Sequence, residues 1–142
     1  MLSIVTDITD PILDYIKDDP VRPEISREFR VSTNRRVYAL VDKKPTAIVC
    51  VNFLDRIPTR VDELGEAVDP NTAVFYTIWS YAPGAGVKLL REATRSIREN
   101  FPYITRFVTL SPKTELARRF HIKNGAIVLA DNPETVNYEY II

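Results

Sequence analysis

The stretch that decides the fold is residues 73–101, AVFYTIWSYAPGAGVKLLREATRSIRENF. Ala73 to Tyr81 is an unbroken apolar run, with the length and composition of a buried strand. It stops at Ala82-Pro83-Gly84-Ala85-Gly86, which holds two of the chain's four glycines. A helical pattern follows from about Val87 to Phe101. Leu89, Ala93, Ile97 and Phe101 form an i, i+4 row, and Arg91, Glu92, Arg95, Arg98 and Glu99 cover the opposite face. A strand, a glycine turn and a helix start together make an anion cradle. Glycine lets the backbone approach a ligand, and the first helical amides have no acceptor of their own. The expected guest is a phosphate or pyrophosphate, held by Tyr81, Ala82, Pro83, Gly84, Ala85, Gly86 and Val87. Val87 stands where a P-loop needs Lys-Ser/Thr, and a dinucleotide fingerprint needs a third glycine. On these residues alone an ordinary strand-to-helix turn is an equal reading.

The 142 residues suit one domain, 1–142, with a real core. Lys plus Arg equals Asp plus Glu at 19 each, so the chain lacks the excess positive charge that nucleic-acid binding uses. Cys50 is the only cysteine and sits in an apolar run, which makes it a core residue with no disulfide partner. With one His and one Cys, no metal site is expected. No apolar stretch reaches membrane-spanning length, and the N-terminus MLSIVTDITD does not read as a signal peptide. The expectation is a cytoplasmic protein, with an apolar edge strand that allows a homodimer.

The remaining elements follow from caps and periodicity. Asp10-Pro11 opens a short helix, and Pro23-Glu24 a second one with Ile25 and Phe29 a turn apart. Arg36–Asp42 and Thr46–Leu54 form a hairpin around Lys43-Lys44-Pro45. Residues 55–72 are a long polar connection, read as a decorated hairpin or a lid, with a helical turn over 61–66. After the 73–101 unit come a strand over 104–110, a helix over 115–123 stopped by Asn124-Gly125, and strands over 126–130 and 136–142. The order α-α-β-β-β-turn-α-β-α-β-β describes an α/β (α+β) domain.

The turn 81–86 resembles the pyrophosphate loop of the GNAT acyl-CoA superfamily, with Tyr81 where that loop has Arg or Gln. Three further strings resemble the catalytic domain of malonyl-CoA decarboxylases, a divergent GNAT branch: Phe107-Val108-Thr109-Leu110-Ser111-Pro112, Phe120-His121-Ile122-Lys123-Asn124-Gly125-Ala126, and Val136-Asn137-Tyr138-Glu139-Tyr140. The resemblance covers residue 73 to the end. It implies a GNAT-like acyl-CoA-binding fold, with a mixed, mostly antiparallel sheet that splays open and is flanked by helices. It implies a coenzyme A thioester, acetyl-CoA or malonyl-CoA, as substrate. Carried over string by string, it makes Ser111 and His121 the catalytic pair and brings Tyr138 near the site. The family also has a helical N-terminal domain and a long insertion between the serine and histidine strings; here nine residues, 112–120, separate them.

The implied chemistry is decarboxylation of a malonyl-type thioester. Ser111 would hold the carboxylate or the adjacent carbonyl, and His121 would give the proton to the carbanion, a task suited to a pKa of about 7. Two other readings stay open on the same residues. One is an acetyl-CoA-dependent N-acyltransferase, with Tyr138 or a nearby tyrosine protonating the thiolate. The other is a catalytically silent acyl-CoA-binding module.

Overall fold

The computed structural model describes residues 1–141. The strands are β1 (Leu2–Val5), β2 (Arg35–Asp42), β3 (Lys44–Leu54), β4 (Thr72–Ser80), β5 (Arg106–Thr109), β6 (Ser111–Pro112), β7 (Ala126–Asp131) and β8 (Thr135–Tyr140). The helices are α1 (Arg27–Arg30), α2 (Ala85–Asn100) and α3 (Glu115–Lys123), with 3-10 helices at Pro11–Asp18 and Val61–Glu63. All strands join one sheet in the order β1-β2-β3-β4-β5-β8-β6, and β7 pairs along the other edge of β8. Only β4 and β5 are parallel. This is the mixed, mostly antiparallel sheet expected. Among the described residues no helix is long and apolar enough to cross a membrane.

The central strands are buried on both faces, which is why 46–54 and 73–81 read as continuous apolar runs rather than alternating ones. One face packs against α2 through Leu89, Leu90, Ala93 and Ile97, which meet Val49, Val51, Phe53, Phe75 and Phe107. Each fully buried Leu or Ile of that row contributes roughly 1.5–3 kcal/mol. The other face packs Ile48, Cys50, Val74, Tyr76, Val108 and Leu110 under the N-terminal segment and the 55–72 connection. That connection is tied down. Asn52 exchanges two hydrogen bonds with the Gly65 backbone, and Thr135 and Asn137 donate to the carbonyls of Thr59 and Pro58.

The structure moves several boundaries. α2 starts at Ala85, two residues before the expected start, because Gly84 takes a left-handed φ of 76° and caps it. α1 starts at Arg27, not Pro23-Glu24: Ser26 caps it by accepting from the Phe29 amide. The carbonyls of Arg22 and Ile25 accept from the Arg30 guanidinium instead of carrying a helix from Pro23. β5 begins at Arg106 rather than residue 104. β8 ends at Tyr140, and residue 142, included in the expected last strand, lies outside the described residues.

Arg30 is wholly buried and ion-paired to buried Asp19 at 2.8 Å. Asp19 also accepts from the amides of Val21 and Arg22 and from the Thr77 hydroxyl of β4. Every bond ties the segment after the first 3-10 helix to the sheet. Removing one partner of such a pair leaves a buried charge uncompensated. Arg30→Met is therefore expected to cost roughly 3–5 kcal/mol in a urea melt; a loss below about 1 kcal/mol would show that the pair does not hold this segment.

Candidate functional site

The site starts where β4 and β5 part. They are in register from Thr72↔Arg106 to Phe75↔Thr109, and the Leu110 amide donates to the Phe75 carbonyl at 3.0 Å. Beyond that bond β4 continues to Ser80, while the chain after β5 turns to pair Ser111 with Val136 of β8. A bulge helps: Cys50 faces Thr77 and Val51 faces Phe75, so Tyr76 is the extra residue on β4. The gap is a cavity of about 600 Å³. Its walls are β4 from Phe75 to Ser80, Leu110 to Pro112, Pro20 and Val21, and the α3 residues Ala117, Phe120 and His121. Ser111 and His121, singled out in two separate strings, thus meet in one largely apolar cavity.

A second hollow of about 510 Å³ lies at the turn, lined by Tyr81, Ala82, Pro83, Gly84, Gly86 and Val87, with Lys123 and Asn124. Ser80, Gly86 and Phe120 line both spaces, so the two adjoin. Among the described residues, the amides of Gly86 and Val87 in the first turn of α2 make no hydrogen bond. They are the free donors that the sequence pattern promised. Gly86 is needed for closeness: a Cβ there would stand 3.4 Å from the Phe120 ring. Ala85 is buried toward the core and does not line the hollow. Tyr81 lines it, and its hydroxyl also donates to Asp18 and accepts from the Trp79 indole, tying the end of β4 to the N-terminal helix.

His121 is held from several sides. α3 is capped by Thr114, whose hydroxyl accepts from the Ala117 amide, and ends at Gly125 with φ 97°. This short, closed helix sets the ring on β8. The imidazole stacks on Tyr138 at 5.0 Å and 29°, with Phe120 and Tyr140 edge-on. Nδ1 lies 2.7 Å from the Tyr140 hydroxyl. Burial pushes His121 down to about 4, so the ring is neutral at pH 7. This corrects the expected value near 7: the aromatic cage brings no carboxylate to stabilise the charged form. Burial also raises the Tyr140 phenol, which stays protonated. Among the described residues that hydroxyl has no other acceptor, so it donates to Nδ1 and leaves the imidazole proton on Nε2.

Ser111 is fixed the same way. Its hydroxyl donates to Thr109 Oγ1 at 2.8 Å, and the Tyr138 amide donates to the same oxygen at 3.0 Å. Tyr138 is buried under the imidazole and does not line the cavity. Sequence reasoning missed Thr109 and Tyr140. The signal was there: each lies two residues from a residue already singled out, on the same face of its strand.

No protein-family model matches the sequence, and no curated protein matches it. Solved structures do. Malonyl-CoA decarboxylase from Agrobacterium vitis superposes with a TM-score of 0.69 at 25% identity, over 84% of this chain and 35% of that one. The malonyl-CoA decarboxylase from Cupriavidus metallidurans gives 0.74 at 18% identity, over 99% and 60%. The PaiA N-acetyltransferase from Thermoplasma acidophilum, solved in complex with coenzyme A, gives 0.65 at 12%, over 100% and 99%. The chain therefore has a GNAT-like fold, near that of malonyl-CoA decarboxylases, and spans about a third of the Agrobacterium vitis enzyme.

The depressed His121 value links to stability. Unfolded, the ring protonates below about 6.5; folded, only below about 4. Its contribution is whole above pH 6.5, falls as the pH drops toward 4, and is constant below. The wild-type chain should lose roughly 3 kcal/mol more than His121→Gln across that window. Urea melts at pH 7 and pH 4 measure the difference; equal losses would mean that the ring is not desolvated.

Proposed function

We propose that this chain binds an acyl-CoA, with the pyrophosphate at the 81–87 turn and the acyl group in the gap between β4 and β5, and that it decarboxylates a malonyl-type thioester. The observation that carries the reading is the meeting of Ser111 and His121 in a cavity that adjoins the cradle.

The thioester would enter past Phe120, with the pyrophosphate on the free amides of Gly86 and Val87 and the Lys123 ammonium nearby. The carboxylate comes to lie by Ser111. Its charge supplies what His121 lacks in the free site, so the imidazole takes up a proton as substrate binds. The bond from Cα to the carboxylate then breaks. CO2 leaves, and the electron pair passes onto the thioester oxygen as an enolate. Backbone N–H groups of β4 beyond Phe75 offer donors to that oxygen, and one well-placed donor contributes about 2.7–4 kcal/mol. His121 returns its proton to Cα, acetyl-CoA forms, and the ring is neutral again. Overall, one proton from solvent is consumed for each CO2 released.

Thr109 and Tyr140 serve by holding Ser111 and His121 in place. The position of Tyr138 weighs against the N-acyltransferase alternative in its simplest form, because a tyrosine under the imidazole has no path to a leaving thiolate. The silent-module alternative is separated by turnover.

The test is incubation of the pure chain with malonyl-CoA and with acetyl-CoA, products read by mass spectrometry. Acetyl-CoA should appear from malonyl-CoA and fall at least about 100-fold in His121→Ala. Binding of both thioesters without turnover would sink the decarboxylase reading. Separately, Gly86→Glu drives a side chain at the Phe120 ring and a negative charge into the cradle. CoA binding by calorimetry should weaken at least about 100-fold, and an unchanged affinity would overturn the assignment of the turn.

A further inference from the structure

The acyl cavity has no cation among its lining residues, yet one stands at its wall. Arg22 follows Val21, which lines the cavity, and its Nη2 donates at 3.2 Å to the carbonyl of Leu110, the residue before Ser111. The rest of the guanidinium is unspent. Nε is buried without a hydrogen-bond partner, and among the described residues Nη1 makes no hydrogen bond and Arg22 no ion pair. The nearest candidate counter-ion is already engaged. Asp19 gives one oxygen to Arg30 and the other to the amides of Val21 and Arg22 and the hydroxyl of Thr77. Half-buried and uncompensated, the Arg22 charge is costly unless something negative arrives.

We infer that Arg22 selects the acyl group: it favours an acyl-CoA whose chain carries a free carboxylate over a neutral acyl-CoA of the same size. The inference rests on the acyl-CoA reading and deepens it. A carboxylate beside Ser111 enters the field of a guanidinium already held in place by Leu110, so little ordering is left to be done on binding. The role is in binding and not in the chemical step. An ion pair with the carboxylate stabilises the bound substrate, and that stabilisation is lost as CO2 leaves. Arg22 therefore lowers KM and does not raise kcat.

Malonyl-CoA and acetoacetyl-CoA make the comparison, since the second has a methyl group where the first has a charged oxygen. Affinities are measured by calorimetry on the full chain carrying His121→Gln, which blocks turnover under the proposed mechanism. Malonyl-CoA is expected to bind at least about tenfold more tightly. Adding Arg22→Gln should bring the two ligands within about twofold and leave acetyl-CoA unchanged, while Arg22→Lys should keep most of the preference. In the catalytic assay Arg22→Gln should raise KM about tenfold with kcat undiminished. A preference kept in Arg22→Gln, or none to begin with, overturns the inference. If Arg22→Gln shows no cooperative melt, salt decides: the preference should shrink by at least about half between low and 0.5 M ionic strength, and a salt-independent preference overturns it. Failure of the decarboxylase reading shows separately, as no acetyl-CoA formed by the wild-type chain, and leaves the binding comparison valid.

Discussion

The last backbone bond between β4 and β5, from the Leu110 amide to the Phe75 carbonyl, is the constraint on which the rest of the site depends. Parallel strands joined by a helix normally stay paired along their length. Here they part after four residue pairs, because the Tyr76 bulge turns β4 and because Ser111 finds a partner in β8. The parting leaves backbone groups of β4 facing a cavity instead of a strand. It also sends Ser111 to the opposite wall. The direction of β4 beyond the gap sets where the glycine turn falls, and so where α2 presents its free amides. One divergence thus positions a polar cradle, an apolar pocket and a nucleophile-sized hydroxyl in a row.

The second organising fact is that polar groups in this row are satisfied from behind. Ser111 is bonded to Thr109, and His121 to Tyr140, each through the side away from an incoming ligand. Such bonding fixes rotamers and tautomer before substrate arrives, so binding energy need not be spent on ordering them. The cage around His121 has a cost, since it denies the ring a charge. That cost becomes useful if the substrate is an anion. The proton then enters with the carboxylate and is in place when the carbon needs it. A permanent carboxylate next to His121 would have kept the proton bound and made the ring a weaker acid.

Much of this was legible along the chain, and the limits have a physical cause. Local chemistry gave α3 to the residue, because Thr114 and Gly125 are unambiguous ends. It gave the 82–86 turn as a ligand cradle, because glycines between an apolar run and an amphipathic one have few other uses. It placed Ser111 and His121 in a shared site only through resemblance, since no spacing rule joins two residues on different elements. It misjudged α1, where the deciding partner is Arg30, a charged residue that folds inward against carbonyls and Asp19. A buried arginine cannot be told from a surface one by periodicity. Thr109 and Tyr140 were missed for the same reason. Their roles arise where β8 lies between β6 and β7, a pairing of segments far apart in sequence.

The short path from Ser111 to His121 bears on whether so small a chain can make a whole pocket. Nine residues have to leave β6, turn, and bring an imidazole back over β8. They do so because Pro112 ends the strand and Thr114 caps a helix three residues after Ser111, so the next two turns carry His121 to the aromatic pair. The same helix supplies the outer wall, through Ala117 and Phe120, with Leu116 at the rim and 82% exposed. On the far side Pro20 and Val21 close the gap, and they stay there because Asp19 is bonded to Thr77 and paired with Arg30. The N-terminal segment and α3 therefore enclose from two sides the space in which a larger relative could use an insertion. A pocket so built is shallow at the Leu116 rim and tight at Ser111, a shape that favours a short acyl group over a long one.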